Sequence, residues 1–223
     1  MASWFKKCLL VMLGIIGALL AVEVCLRLFN PFDLRVRGDR IVLPARRAYV
    51  VDDLGVKGLD AKVMHTKNRL GFRGPELPAD GLARHVSIIA VGGSTTECLL
   101  LSDGKDWPAL MHDFLRTNFP AVWINNAGLD GHSTHGHMIL LQDYIVHLKP
   151  TIVLFLVGIN EIGRRDLDEH DASQIRGYWR GRSFKRFVQF LALYSDTVSL
   201  LFNLQRACRA RLFGLPHDFQ TLG

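Results

Sequence analysis

The stretch Val91-Gly92-Gly93-Ser94-Thr95-Thr96-Glu97 decides the fold, because it closes an apolar run from His85 to Val91 with two glycines and a hydroxyl. Val, Ser, Ile, Ile, Ala and Val in succession read as a strand buried on both faces, which is what a parallel sheet requires. The glycines allow a sharp turn with close backbone approach, leaving Ser94 exposed above the carboxyl edge of the sheet, where α/β folds place their chemistry. Taken in isolation the stretch reads as a tight strand-to-helix turn with Ser94 as the helix cap. Two later stretches shift the weight towards a nucleophile.

Downstream, Trp107-Pro108 opens a helix whose Leu110, Met111, Phe114 and Leu115 share one face. Ala121 to Ile124 predicts a second strand, closed by the polar loop Asn125 to Ser133. A second helix follows with an apolar stripe of Met138, Leu141, Ile145 and Leu148, stopped by Lys149-Pro150. Thr151 to Val157 predicts a third buried strand, ended by Gly158-Ile159-Asn160-Glu161. Strand and helix alternating at this spacing mean βαβ units and a parallel sheet, so the three loops meet at one edge. Each supplies a group that acyl transfer needs: Ser94 a hydroxyl nucleophile, Gly131 a closely approaching backbone N–H, Asn160 a side-chain amide. With the N–H of Ser94 they would form a three-donor oxyanion hole. The glycines are neither a G-x-S-x-G elbow nor a P-loop, since the glycine after the serine is missing and no G-K-[ST] follows.

These blocks resemble the SGNH or GDSL-type ester hydrolases, which draw Ser, Gly, Asn and His from successive loops of a flavodoxin-like sheet. Gly93-Ser94 is similar to the first block, Asn126 to Ser133 to the second with its oxyanion glycine at Gly131, and Gly158-Ile159-Asn160-Glu161 to the third, with Glu where Asp is commoner. Asn68-Arg69-Leu70-Gly71-Phe72-Arg73-Gly74-Pro75-Glu76 is similar to the lead-in of membrane-anchored members. The resemblance covers residues 65 to 165 and implies a three-layer α/β/α flavodoxin-like fold, an acyl-ester substrate carried on an envelope glycan or a lipid, and no cofactor. The sequence departs from the family at the base, a His three residues after an Asp: none of the nine histidines has that context. Downstream of Asn160 only His170 and His217 remain. The expectation is that the segment carrying the base is absent from these 223 residues, a truncated form of the family, and that the sheet is incomplete, with three strands where a flavodoxin-like sheet has about five.

The N-terminal region predicts a membrane anchor. Cys8 to Val22 is free of charge and follows Lys6 and Lys7. These residues cover about 22 Å of a hydrocarbon core roughly 30 Å thick, so a span must continue to Phe29 and carry Glu23 and Arg27, an i,i+4 pair, at one interface. No small-x-small cleavage site or lipobox follows, which favours an uncleaved signal anchor over a cleaved signal peptide. Arg27, Arg35, Arg37, Arg40, Arg46 and Arg47 outnumber Lys6 and Lys7, which by the positive-inside rule keeps the domain in the cytoplasm. The hydrolase reading instead implies a periplasmic or extracellular domain. A chain of 223 residues with 49% hydrophobic content and mean hydropathy of +0.16 suits one domain plus a membrane segment.

The division expected is an anchor at 1–29, a connecting region with one or two short strands at 30–84, the α/β core at 85–170 and a helical segment at 171–223. The net charge of +6 gathers near the anchor and at Arg176, Arg180, Arg182, Lys185 and Arg186; beside an anchor this suits anionic lipid better than nucleic acid. Phe187 to Leu204 could form a second membrane-associated helix, but charges at Arg186, Asp196 and Arg206 favour an amphipathic helix on the domain or the membrane surface. Cys8, Cys25, Cys98 and Cys208 give no disulfide framework, and Cys98 sits in an apolar setting that favours an inert thiol. His132, His135 and His137 crowd together but lack an acidic or cysteine co-ligand in sequence, so an exposed helix start is the plainer reading and no metal is expected. The function expected is a membrane-anchored serine ester hydrolase. The alternative is a non-catalytic envelope-assembly protein that keeps the fold.

Overall fold

In a computed structural model, which describes residues 2–29, 32, 36–37, 40–52, 57–162 and 183–213, the uncharged N-terminal run lies within one helix, α1 (Ala2–Phe29). The most apolar 18 residues within Trp4–Phe29 have a mean hydropathy of 2.7, and the helix is long and apolar enough to cross a membrane. The pair expected at its end is present, with Arg27 Nε donating to Glu23 Oε1 at 2.9 Å. The described residues form two compact units, one of residues through 40 together with 183–213, the other of residues 41–162.

The second unit is built on three parallel strands: β5 (Val86–Gly92) lies between β6 (Val122–Asn126) and β7 (Ile152–Leu156). The register sets Ile88 opposite both Ile124 and Ile152, and Ala90 opposite Asn126. The crossover from β5 to β6 carries α2 (Ser94–Glu97) and α3 (Trp107–Leu115); Asp106 caps α3 by accepting the N–H of Ala109. Met111 and Leu115 of α3 pack on Ile88, Val122 and Ile124. Each fully buried isoleucine of this kind contributes about 1.5–3 kcal/mol. A mixed α/β fold with a three-stranded parallel sheet behind an apolar N-terminal helix therefore stands.

Several expectations are corrected. Strand β6 runs two residues further than Ala121 to Ile124, because Asn125 and Asn126, read as loop, are buried in the ladder with their amides satisfied by Pro75 O, Thr96 O and Asp106. The second helix is α4 (Thr134–Leu140), a π-helical turn (Leu141–Ile145) and α5 (Val146–Leu148). The wider turn keeps Leu140 and Ile145, five residues apart, both fully buried, and it leaves Met138 of the expected stripe exposed. Strand β7 is not the buried strand its composition predicts: Phe155 is 51% and Leu156 48% exposed. Among the described residues it pairs only with β5, so it is an edge.

Upstream, β1 (Val36–Arg37) and β2 (Arg40–Ile41) are short, and β3 (Arg47–Asp52) pairs antiparallel with β4 (Lys62–Lys67). Of this region, expected to connect with one or two short strands, the β3–β4 hairpin belongs to the same unit as the parallel sheet. Along β4 burial alternates, with Val63, His65 and Lys67 inward. The other unit adds α6 (Ser183–Tyr194) and α7 (Asp196–Phe213).

Candidate functional site

The turn after β5 is built by close packing. A Cβ on Gly92 would lie 2.1 Å from Thr96 Oγ1 and 2.5 Å from Leu156 O, so only glycine lets β5 pass between the α2 turn and β7. The cap of α2 is Gly93, not Ser94 as the plain reading had it, because Ser94 is already the first helical residue. Its side chain is exposed and its hydroxyl has no hydrogen-bond partner among the described residues. Its N–H, at the first helical position, is one that no helical carbonyl can satisfy.

The parallel register brings the three loops to one edge. A Cβ on Gly93 would lie 2.7 Å from Asn160 Nδ2 and 3.6 Å from His132 O, and Asn160 Nδ2 donates to His132 O at 2.7 Å. The loop after β6 reaches the same turn from the other side: Leu129 N–H donates to Gly92 O at 3.0 Å, and a Cβ on Gly128 would meet Glu97 N at 2.3 Å. Gly131 has φ +70°, a left-handed conformation that glycine adopts without strain. Its neighbours are engaged, Asp130 N–H on Glu97 Oε2 and His132 N–H on Leu129 O, whereas the Gly131 N–H takes no partner among the described residues. Ser94, Gly131 and Asn160 thus share the carboxyl edge of the sheet. His170 and His217 lie outside the described residues.

Groups that sequence reasoning passed over hold this edge together. Glu97 is buried and lies 2.9 Å from Lys67 Nζ. Arg73, also buried, donates from Nη1 to the carbonyls of Glu97 at 2.7 Å and Cys98 at 2.8 Å, and from Nη2 to Leu101 O at 2.9 Å. A guanidinium there completes the carbonyls that end α2. Asn68 folds the preceding turn by accepting the N–H groups of Leu70 at 2.9 Å and Phe72 at 3.2 Å, and it donates to Asn125 Oδ1 at 2.6 Å. The signal for these roles was the Asn68–Glu76 lead-in itself. A cavity of about 300 Å³ beside β6 is lined by Thr66, Arg73, Asp103, Asp106, His112 and Asn126, among others, and by none of the three expected site residues.

The histidines are not an exposed helix start. His132 and His137 are buried, with ring centroids 5.8 Å apart. Burial pushes His137 down to about 4, against the opposing charge of Glu161, so its imidazole is neutral at pH 7. Among the described residues no group of three or more His, Cys, Asp or Glu is arranged to hold a metal ion. Cys98 has its thiol pushed up by burial and donates from Sγ to Thr95 O at 3.2 Å, the environment of a protonated thiol. Comparison with protein-family models, curated proteins and solved structures finds no match to this chain.

Proposed function

We propose that the protein is a membrane-anchored serine ester hydrolase of the SGNH or GDSL type, on an incomplete flavodoxin-like sheet. Ser94 Oγ attacks the acyl carbonyl and gives its proton to a base, the alcohol leaves, and water hydrolyses the acyl-serine to the free acid. The N–H groups of Ser94 and Gly131 and the amide of Asn160 carry the oxyanion charge. The observation that supports this reading best is the packing of Gly93 against Asn160 and His132, which draws all three loops to an exposed, unbonded serine. The domain lies outside the cytoplasm, where an ester on an envelope glycan or lipid would meet it.

A second reading, a non-catalytic envelope-assembly protein, is favoured by one observation: one of the two N–H donors of the Asn160 amide is already committed to His132 O, which leaves a single donor for an oxyanion. Treating the detergent-solubilised full chain with a fluorophosphonate and mapping the adduct by mass spectrometry separates the two. Labelling at Ser94, lost in Ser94→Ala, supports the hydrolase. A folded chain that stays unlabelled supports the assembly role.

A further inference from the structure

Among its described side chains, helix α6 fully buries only the small Ala192, whereas Phe184, Phe187, Phe190 and Tyr194, three or four residues apart along one side, are all more than half exposed. Phe190 and Tyr194 touch, with ring centroids 5.2 Å apart. A contiguous aromatic face of this kind on a soluble surface marks a binding surface.

What covers it follows from how α6 is tied to α1. Arg27 Nη2 donates to Tyr194 O at 2.7 Å, and Glu23 accepts the Ser195 hydroxyl at 2.8 Å and the N–H groups of Asp196 and Thr197 at 3.0 Å each. Glu23 and Arg27 are the first charges after the uncharged run that closes at Val22. Charges that end a span sit at the edge of the hydrocarbon, so the C-terminal end of α6 is held at headgroup depth, where aromatic rings are favoured. We propose that α6 is a second membrane contact, an interfacial helix whose aromatic face rests in the bilayer surface beside the anchor.

The proposal rests on α1 spanning the bilayer, and the test reads the two separately. In the full chain with its four cysteines changed to serine, single nitroxides are attached at Leu13→Cys in the anchor, Phe187→Cys and Phe190→Cys on α6, and Asn118→Cys, an exposed site in the other unit. The protein is reconstituted in phosphatidylcholine–phosphatidylglycerol vesicles, and circular dichroism verifies folding. Power-saturation EPR should give an oxygen-to-nickel-chelate collision ratio several-fold higher at positions 13, 187 and 190 than at 118. Ratios at 187 and 190 equal to that at 118, with 13 still in lipid, overturn the proposal and leave the anchor intact. A water-like ratio at 13 overturns both. Spin–spin broadening at 187 that disappears on dilution with unlabelled protein means that a second copy covers the face, which also overturns it.

Discussion

The ammonium of Lys67 on β4 lies 2.9 Å from the carboxylate of Glu97, the last residue of the Ser94 turn, and both side chains are sealed from water. Because Glu97 also accepts the N–H of Asp130, one carboxylate joins the hairpin, the Ser94 turn and the loop after β6. Removing one partner of a buried pair strands the other charge, at a cost of about 3–5 kcal/mol. Lys67→Met and Glu97→Leu should each lower stability by that order in urea unfolding, and the double variant should recover most of the loss. Additive losses would mean that the two side chains act independently.

Stability should fall on mild acidification. The folded pKa of His137, about 4, lies below the ordinary value of 6.5, so its stabilising contribution is complete above pH 6.5 and is lost as pH drops towards 4, where the unfolded chain takes up the proton first. Over that window the loss is on the order of 3 kcal/mol. Burial and the nearby Arg73 and Lys67 lower His65 too, which acts in the same direction. Urea midpoints at pH 7.5 and pH 5 measure the drop, and His137→Gln should flatten it. An unchanged slope in that variant would assign the acid sensitivity elsewhere.

Hydrolysis of p-nitrophenyl acetate by the solubilised chain should be slow, because Ser94 has no base partner among the described residues and general-base assistance contributes on the order of 10² to 10⁴ in rate. Ser94→Ala should remove what remains. Enzyme-like turnover abolished by His170→Ala would identify His170 as the base and refute the expectation.

The two glycines at the turn should respond differently to a methyl group. On Gly128 it meets the backbone of Glu97 and Thr96, which cannot yield without moving α2, so Gly128→Ala should lose about 1–3 kcal/mol. On Gly93 it meets the far end of the flexible Asn160 side chain at 2.7 Å and His132 O at an ordinary 3.6 Å. Gly93→Ala should therefore keep its melting temperature while fluorophosphonate labelling of Ser94 slows. Equal melting losses in both would show the two contacts to be equally rigid.

The sheet was legible where composition speaks for itself. The apolar run before Gly92, the Trp107-Pro108 helix start and the order of the three loops all follow from periodicity and turn chemistry, and α1 from its uncharged length. What escaped depends on neighbours. Lys67, His65 and Glu97 point inward because each finds a charged or stacked partner far away in sequence, and no local pattern encodes such partners. Asn125 and Asn126 read as loop because strands seldom bury amides, yet Pro75, Thr96 and Asp106 supply the missing hydrogen bonds. The exposure of β7 is invisible in its residues, since an edge strand and a central one can share a composition.

The hydrogen bonds from Ser195, Asp196 and Thr197 to Glu23 span 172 to 174 positions of sequence. During synthesis, residues 41–162 emerge as one continuous stretch and can fold as they appear. The carboxylate of Glu23 must instead wait, with only Arg27 for company, until α7 has been translated. The apolar N-terminal helix is therefore made first, yet its unit closes last, and a ribosome stalled before residue 195 would hold a folded α/β core on a chain whose Glu23 does not yet have its later partners.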